Sequence, residues 1–272
     1  EQCHVTQSTL SSGIKDLEDA LGRSLFDRSS RNIALSAFGE TVLPDIRDVL
    51  QKADTILTKA LSIDGKYSGP VRFGIIPTIA PYMLPHLLPH LSDHFPGISL
   101  NLYENMTQIL LDKLRNGELD MAVIAFPYET GDLEHSVIYE EGFYLLRPAS
   151  NNPVSVIQSD EIETDQLLLL EDGHCLRDHA LSVCAAFDAD IQKRFKATSL
   201  TTLVQMVRHG YGATLLPEMA AKNLDLPADL EIIPVIGDSA KRGIGLVWRK
   251  NAPLYSLARD IAGEIKNLEM TG

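Results

Sequence analysis

Short apolar runs alternate with amphipathic stretches through most of this chain, and that alternation predicts its elements. Val71–Ile76, Ser99–Glu104 and Met121–Ala125 have the length and apolar content of strands. Between them, Pro81–His94 and Asn105–Asn116 carry apolar residues at helical spacing. This βαβαβ order implies a mostly parallel sheet covered on both faces. A second set follows Glu141, with strands near Phe143–Arg147, Leu167–Leu170, Thr214–Leu216, Leu230–Val235 and Ile244–Arg249. Helices are expected at Cys175–Phe187 and Leu200–His209, and an amphipathic helix at Pro253–Leu268 closes the chain. The fold class is α/β.

The first sixty residues are organised differently. Val5, Leu10, Ile14, Leu17 and Leu21 share one helical face, opposite a polar face of Gln7, Ser8, Thr9, Ser11, Ser12 and Lys15, with Thr6 or Ser8 as the N-cap. Small hydroxyl and amide groups on an exposed helix suit contacts to phosphates and base edges in a major groove, although any Ser-rich amphipathic helix looks the same. Ser29–Ser36 reads as a small β-wing with Arg31 near its tip, and Ser36 to Glu40 as the start of another helix. From Phe38 to about Ile63, apolar residues from Val42 to Leu61 recur at alternating threes and fours, so a long helix with one apolar seam wants a partner. Asp64–Pro70, rich in turn formers, is the expected hinge.

Composition narrows the function classes. The chain has 272 residues, 44% of them hydrophobic and 22% charged, enough for one large or two medium domains. No apolar run is long enough to span a bilayer, and Glu1-Gln2-Cys3-His4 is no signal peptide. The net charge is −13, and residues 1–60 carry seven Lys and Arg against nine Asp and Glu, so any DNA contact must be local and geometric. Three cysteines make no disulfide framework, and a reducing cytoplasm is expected. His86, His90, His94, His135, His179 and His209 read as solvated or packing residues, with no Cys/His metal spacing.

The most distinctive stretch is Leu167–Cys184, LLLLEDGHCLRDHALSVC. Its leucines run into a turn at Glu171-Asp172-Gly173, and His174-Cys175 fall on the first turn of the helix that follows. A helix start favours an anion and hence a thiolate; His174 and Arg177 are placed to help, while Asp172 and Asp178 oppose them. Nine helical residues separate Cys175 from Cys184 by about 13.5 Å at a rise of ~1.5 Å per residue. A disulfide needs its Cα atoms within roughly 4.4–6.8 Å, so bridging them requires the helix to unwind. Two inert buried cysteines are the other reading.

The order TQSTLSSGIKDLEDALGRSLFDR, wing, LSAFGE closely resembles the winged helix-turn-helix of LysR-type transcriptional regulators. The segment EDGHCLRD with Cys184, together with GIIPTIAPY, FKATSL and RGIGLV, extends the resemblance over essentially the whole chain, to the hydrogen-peroxide-sensing members of that family. It implies an incomplete DNA-binding domain over 1–36, a dimerising linker helix over 37–64, and a two-lobed effector domain similar to a periplasmic binding protein. Lobe I would take 65–140 and 241–272, and lobe II 141–240 with the cysteines.

By resemblance, Cys175 is the peroxidatic cysteine and Cys184 resolves its sulfenic acid into a disulfide. Thr78, Thr107, His174, Asp178 and Arg242 match positions around the peroxide pocket. Read without the resemblance, Thr78 is a helix N-cap, Thr107 a first-turn polar residue, and Arg242 a surface charge for which Lys241 could substitute. Thr6, Gln7, Ser8, Thr9, Ser11, Ser12, Lys15 and Arg31 are the expected DNA contacts. The implied partners are promoter DNA, a second and further copies in a homodimer and homotetramer, hydrogen peroxide, RNA polymerase and a glutaredoxin-type reductant. No cofactor, metal or membrane is implied. Two rivals remain: a family member gated by a small metabolite between the lobes, and a thiol peroxidase.

Overall fold

The computed structural model describes residues 6–27, 33–61, 67–150, 154–184, 196–237 and 239–268. The chain forms two compact units, Glu1–Ile56 and Leu57–Gly272.

In the first unit, α1 (Gln7–Leu21) is capped by Thr6, whose side chain accepts from the Thr9 amide, and ends at a left-handed Gly22. Ser8 lies inside the helix, so Thr6 is the cap. Among the described residues of α1 only Glu18 is buried, because its carboxylate accepts from the Leu25 and Phe26 amides at 2.7 and 3.3 Å. Leu10, Leu17 and Leu21 stay largely exposed. Strands β1 (Phe26–Asp27) and β2 (Ala34–Leu35) pair antiparallel as the base of the wing. Helix α2 (Ala37–Leu61) is initiated by Ser36, which accepts from the Gly39 amide at 2.9 Å, and a side chain at Gly39 would collide with the Leu25 carbonyl. Pro44 sits in its early turns, and Val49, Leu50 and Ile56 project into solvent.

The second unit begins with β3 (Gly69–Ile75), so Gly69 and Pro70 of the expected hinge belong to a strand, while residues 64–66 lie outside the described set. Helix α3 (Ala80–His94), β4 (Ile98–Glu104), α4 (Thr107–Arg115) and β5 (Met121–Phe126) follow, giving parallel strands in the order β4-β3-β5. The sheet is mixed, not mostly parallel. Strand β6 (Leu133–Pro148) is 16 residues long, and β12 (Lys241–Arg249) lies antiparallel between it and β5. Helix α8 (Tyr255–Lys266) covers this part.

Strand β6 serves both lobes. Leu133–Gly142 pair with β12, whereas Phe143–Pro148 pair with β10 (Thr214–Pro217) and β11 (Leu230–Ile236). Strand β7 (Ile157–Gln158) extends β11, and β8 (Leu169–Leu170) pairs with β9 (Lys196–Ala197) in a separate two-stranded sheet. Helices α5 (Cys175–Val183), α6 (Leu200–Arg208) and α7 (Glu218–Lys222) complete this lobe. The expected strand at 167–170 is thus half as long, with Leu167 making one bridge to Ala213. The expected helix Cys175–Phe187 ends at Val183 with Cys184 as C-cap, and residues 185–195 lie outside the described set.

Two apolar cores result. One gathers β3, α3, α4, β5, β12 and α8, and the other gathers the far half of β6 with α5, α6, β10 and β11. Cys175 packs into the first, although its helix belongs with the second, which holds Cys184.

Candidate functional site

The carboxyl ends of parallel strands are where open α/β sheets place their sites, next to the starts of the following helices. Thr78 lies in the turn after β3, and Thr107 is the first residue of α4. The start of α5 arrives from the other lobe. There Gly173 adopts φ +98° and packs on Met106, the N-cap of α4; a Cβ would stand 2.8 Å from its sulfur. Glycine is required by both the conformation and the contact. Cys175, the first residue of α5, is thereby held against the first core.

Arg242 faces Glu141 directly across the β12–β6 ladder, where the lobes exchange chain. It is 1% exposed, which corrects its reading as a surface charge; Lys241, beside it, is exposed and takes no such role. Its Nε donates to Glu141 Oε1 at 2.8 Å, and Nη2 lies 2.7 Å from the same oxygen. Nη1 donates to Thr78 Oγ1 at 3.2 Å and Nη2 to the Thr78 carbonyl at 3.4 Å. Glu141 Oε2 accepts from the Met219 amide at 2.8 Å. Burying two charges is tolerated here because each is paired and further hydrogen-bonded. Thr78 is therefore no N-cap; Ile79 holds that place without a side-chain bond. Since its oxygen accepts from Arg242, the Thr78 proton must point to another acceptor.

Cys175 is a free thiol, 4% exposed. Burial pushes its pKa up, opposed by the Arg242 charge, the nearby Thr107 hydroxyl and the Ala125 backbone, while Asp178 raises it further. Desolvation thus opposes the thiolate that the helix start and Arg242 favour. Thr107 Oγ1 is close enough to act on the sulfur, yet among the described residues no group meets it at good hydrogen-bonding geometry. An uncommitted buried hydroxyl costs stability unless something uses it. Tyr128 stands nearby, with burial and the Cys175 and Asp178 charges raising its pKa.

Thr78, Thr107, Cys175 and Arg242 are thus brought together. Asp178 acts on the group from an exposed position. His174 is buried as the N-cap of α5, its pKa lowered by burial and raised in part by Glu171, not by the thiol. Arg177 was expected to assist the thiol but is turned away. It donates to the Leu170 carbonyl at 3.3 Å and pairs with Asp172 at 3.3 Å. Cys184 is buried at the far end of α5, where desolvation raises its thiol to about 11. Two members were missed from the sequence. Glu141 anchors Arg242, and His179, placed on α5 with its Nε2 donating to the Pro127 carbonyl at 3.2 Å, ties α5 to the end of β5. In the first unit Thr6, Gln7, Ser8, Thr9, Ser11, Ser12 and Lys15 are all exposed, as a nucleic-acid face requires, while Arg31 lies outside the described residues.

A family model described as the LysR substrate binding domain matches residues 64–268, and one described as the bacterial regulatory helix-turn-helix protein of the lysR family matches residues 1–40. The chain belongs to the LysR family. It is 38% identical over 270 residues to the HTH-type transcriptional regulator EstR of Acinetobacter baylyi, covering 98% of this chain and 89% of that one. A hydrogen peroxide-inducible genes activator of Escherichia coli is 36% identical over 270 residues, covering 98% and 88%. A full-length OxyR variant from Pseudomonas aeruginosa superposes with a TM-score of 0.82 at 34% identity, covering 99% of this chain and 89% of that one. This LysR-family chain is therefore a transcriptional regulator related to OxyR, with a helix-turn-helix unit followed by a two-lobed regulatory domain. Among the described residues, no helix is long and apolar enough to cross a membrane.

Proposed function

We propose that this regulator senses hydrogen peroxide through Cys175 and transmits the signal by forming a disulfide with Cys184. The observation that carries the reading is the buried thiol beside the uncommitted hydroxyl of Thr107, with Arg242 held in place by Glu141. Likeness to a hydrogen peroxide-inducible activator supports it.

The chemistry balances in two steps. The Cys175 thiolate attacks one peroxide oxygen; the S–O bond forms as the O–O bond breaks, and the departing hydroxide takes a proton to leave as water. Thr78 and Thr107 have the hydroxyls to orient peroxide, and Arg242 has the charge to favour thiolate. Cys184 then attacks the sulfenic sulfur, forming the S–S bond and releasing a second water. A dithiol reductant of glutaredoxin type reverses this by exchange.

The two sulfurs occupy different cores, so closing the disulfide unwinds α5 and draws Leu176, Ala180 and Val183 from the second core. Each is buried, and a side chain as large as Val or Leu is worth roughly 1.5–3 kcal/mol. The segment therefore repacks rather than adjusts locally. Exposed Val49, Leu50 and Ile56 on α2 suit a linker dimer, and pairs of dimers would form the tetramer whose DNA-unit spacing this repacking changes. In this reading α1 enters the major groove of promoter DNA, oxidation activates transcription by RNA polymerase, and the protein works in the cytoplasm.

Cys175→Ser should abolish the peroxide response, whereas Cys184→Ser should leave a trappable sulfenic acid. Peptide mass spectrometry after brief, low-dose peroxide reads both, and modification of Cys184 first would reverse the assignment. Hydrogen exchange across residues 173–184 should lose protection on oxidation; equal protection in both forms would place the switch elsewhere. The alternative reading, gating by a small metabolite between the lobes, accounts equally for the 38% identity to the transcriptional regulator EstR. That reading expects no fast loss of two thiols when peroxide is added.

A further inference from the structure

His90 and His94 stand one turn apart on α3, and their rings stack at 4.1 Å between centroids, inclined by 28°. Glu264, near the end of α8, approaches both: its Oε2 lies 3.2 Å from His90 Nε2 and 3.6 Å from His94 Nε2. The three candidate ligand atoms fall within 4.8 Å of one another, the one such grouping among the described residues. Two His at i and i+4 on one helix face are a common way to hold a transition metal.

The hydrogen bonding here is incomplete in a telling way. His94 Nδ1 faces the His90 carbonyl at 2.9 Å, and a carbonyl only accepts, so the proton of neutral His94 belongs on Nδ1. Its Nε2 then presents a lone pair towards the Glu264 carboxylate, which also only accepts. A cation between them resolves this opposition. The Nδ1–carbonyl bond is also the outer contact that typically orients a metal-bound imidazole. The two separations to Glu264, 3.2 and 3.6 Å, match the edge of a tetrahedron whose ligands stand about 2.0–2.2 Å from the centre, and the third lies within 4.8 Å. The last turns of α3 and α8, each carrying partial negative charge at its carboxyl end, favour a cation there.

We propose that His90, His94 and Glu264 form a three-ligand site for a divalent transition ion of the zinc class, with water as the fourth ligand. Imidazole and carboxylate together suit zinc better than magnesium or calcium. The ion ties the end of α3 to the end of α8 on the first core and is independent of the cysteine chemistry.

Equilibrium dialysis of the full chain against zinc chloride, with metal quantified after removal of excess, should give one equivalent that is lost in the His90→Ala/His94→Ala variant. Glu264→Gln, which keeps size and fold, should weaken binding at least about tenfold. Circular dichroism confirms that each variant folds. Cobalt substitution gives a second readout: visible bands of a tetrahedral ion with no thiolate charge-transfer absorption, unchanged in Cys175→Ser/Cys184→Ser. Uptake that survives both ligand variants, a thiolate band, or no stoichiometric uptake would overturn the proposal, the last meaning that a proton on His94 resolves the opposition instead.

Discussion

Replacing Glu141 with Gln should weaken the fold and sharpen the thiol at once. Both Glu141 and Arg242 side chains are 0% exposed, so the substitution leaves a guanidinium uncompensated in the interior. Glutamine cannot repair the geometry. Its single oxygen can accept from the Met219 amide or from Arg242, and whichever it chooses, its amide NH2 meets the other donor. Removing one partner of a buried pair costs about 3–5 kcal/mol. With a urea slope of roughly 2–3 kcal/mol per molar, the unfolding midpoint should fall by about 1–2.5 M. The second effect follows from charge. Glu141 neutralises the guanidinium that favours the Cys175 thiolate, so without it the thiol pKa should fall and alkylation of Cys175 below that pKa should quicken. Urea unfolding and the pH dependence of iodoacetamide labelling measure the two effects. Adding Arg242→Met should recover much of the lost stability and reverse the gain in reactivity. An unchanged midpoint, or slower labelling in Glu141→Gln, would refute the reasoning.

Three further outcomes are expected. Burial lifts the Cys184 thiol from 9.0 to about 11, so its contribution to stability is complete below pH 9.0 and is lost as pH rises towards about 11. Urea melts across that window should decline less steeply in Cys184→Ala, and identical slopes would contradict it. Gly173→Ala should cost about 1–3 kcal/mol, because it forces a Cβ into a left-handed position against the Met106 sulfur; chemical denaturation measures this, and an unshifted midpoint would show that the contact yields. Leu50→Glu on the exposed face of α2 should give a smaller species in sedimentation velocity, and an unchanged mass would move dimerisation to the regulatory domain.

Local pattern carried the sequence reading far where burial follows period. Met121–Phe126 is buried at every position, so its strand was legible in its apolar run. The near half of β6 was not. Leu133–Gly142 carry polar and charged residues because only one face is covered, and the run resembles a loop. The burial of Arg242 was not legible in the local pattern for a related reason, and only the family resemblance pointed to it. Its neighbours Lys241 and Gly243 suggest a solvated strand end, and the partner that makes burial tolerable lies 101 residues earlier. Pairing at that distance leaves no trace in the local pattern. The end of α5 at Val183 was likewise illegible, since Cys184-Ala185-Ala186-Phe187 continues the helical pattern without a breaker. Cys175 drew attention because an apolar run, a glycine turn and a thiol on a first helical turn coincide within nine residues, but that pattern left two inert cysteines open, and only the family resemblance gave the thiol a role.

The ladder between β6 and β12 has a consequence for how the molecule can be taken apart. Gly142 and Lys241 are register partners on antiparallel neighbours, so the chain leaves the first lobe and re-enters it at adjacent points. Topologically, everything from Phe143 to Ala240 is an insertion at the tip of a β-hairpin. A two-residue Asn-Gly link suits such a gap, since turns of that type join antiparallel strands in register. The first lobe should then stand as a miniature domain, and the excised segment, with its ends close together, becomes a cassette that can be exchanged between regulators. Arg242 would sit beside the new turn in that miniature, stripped of Met219 and of Cys175 but still paired with Glu141, at the seam where the two modules were joined.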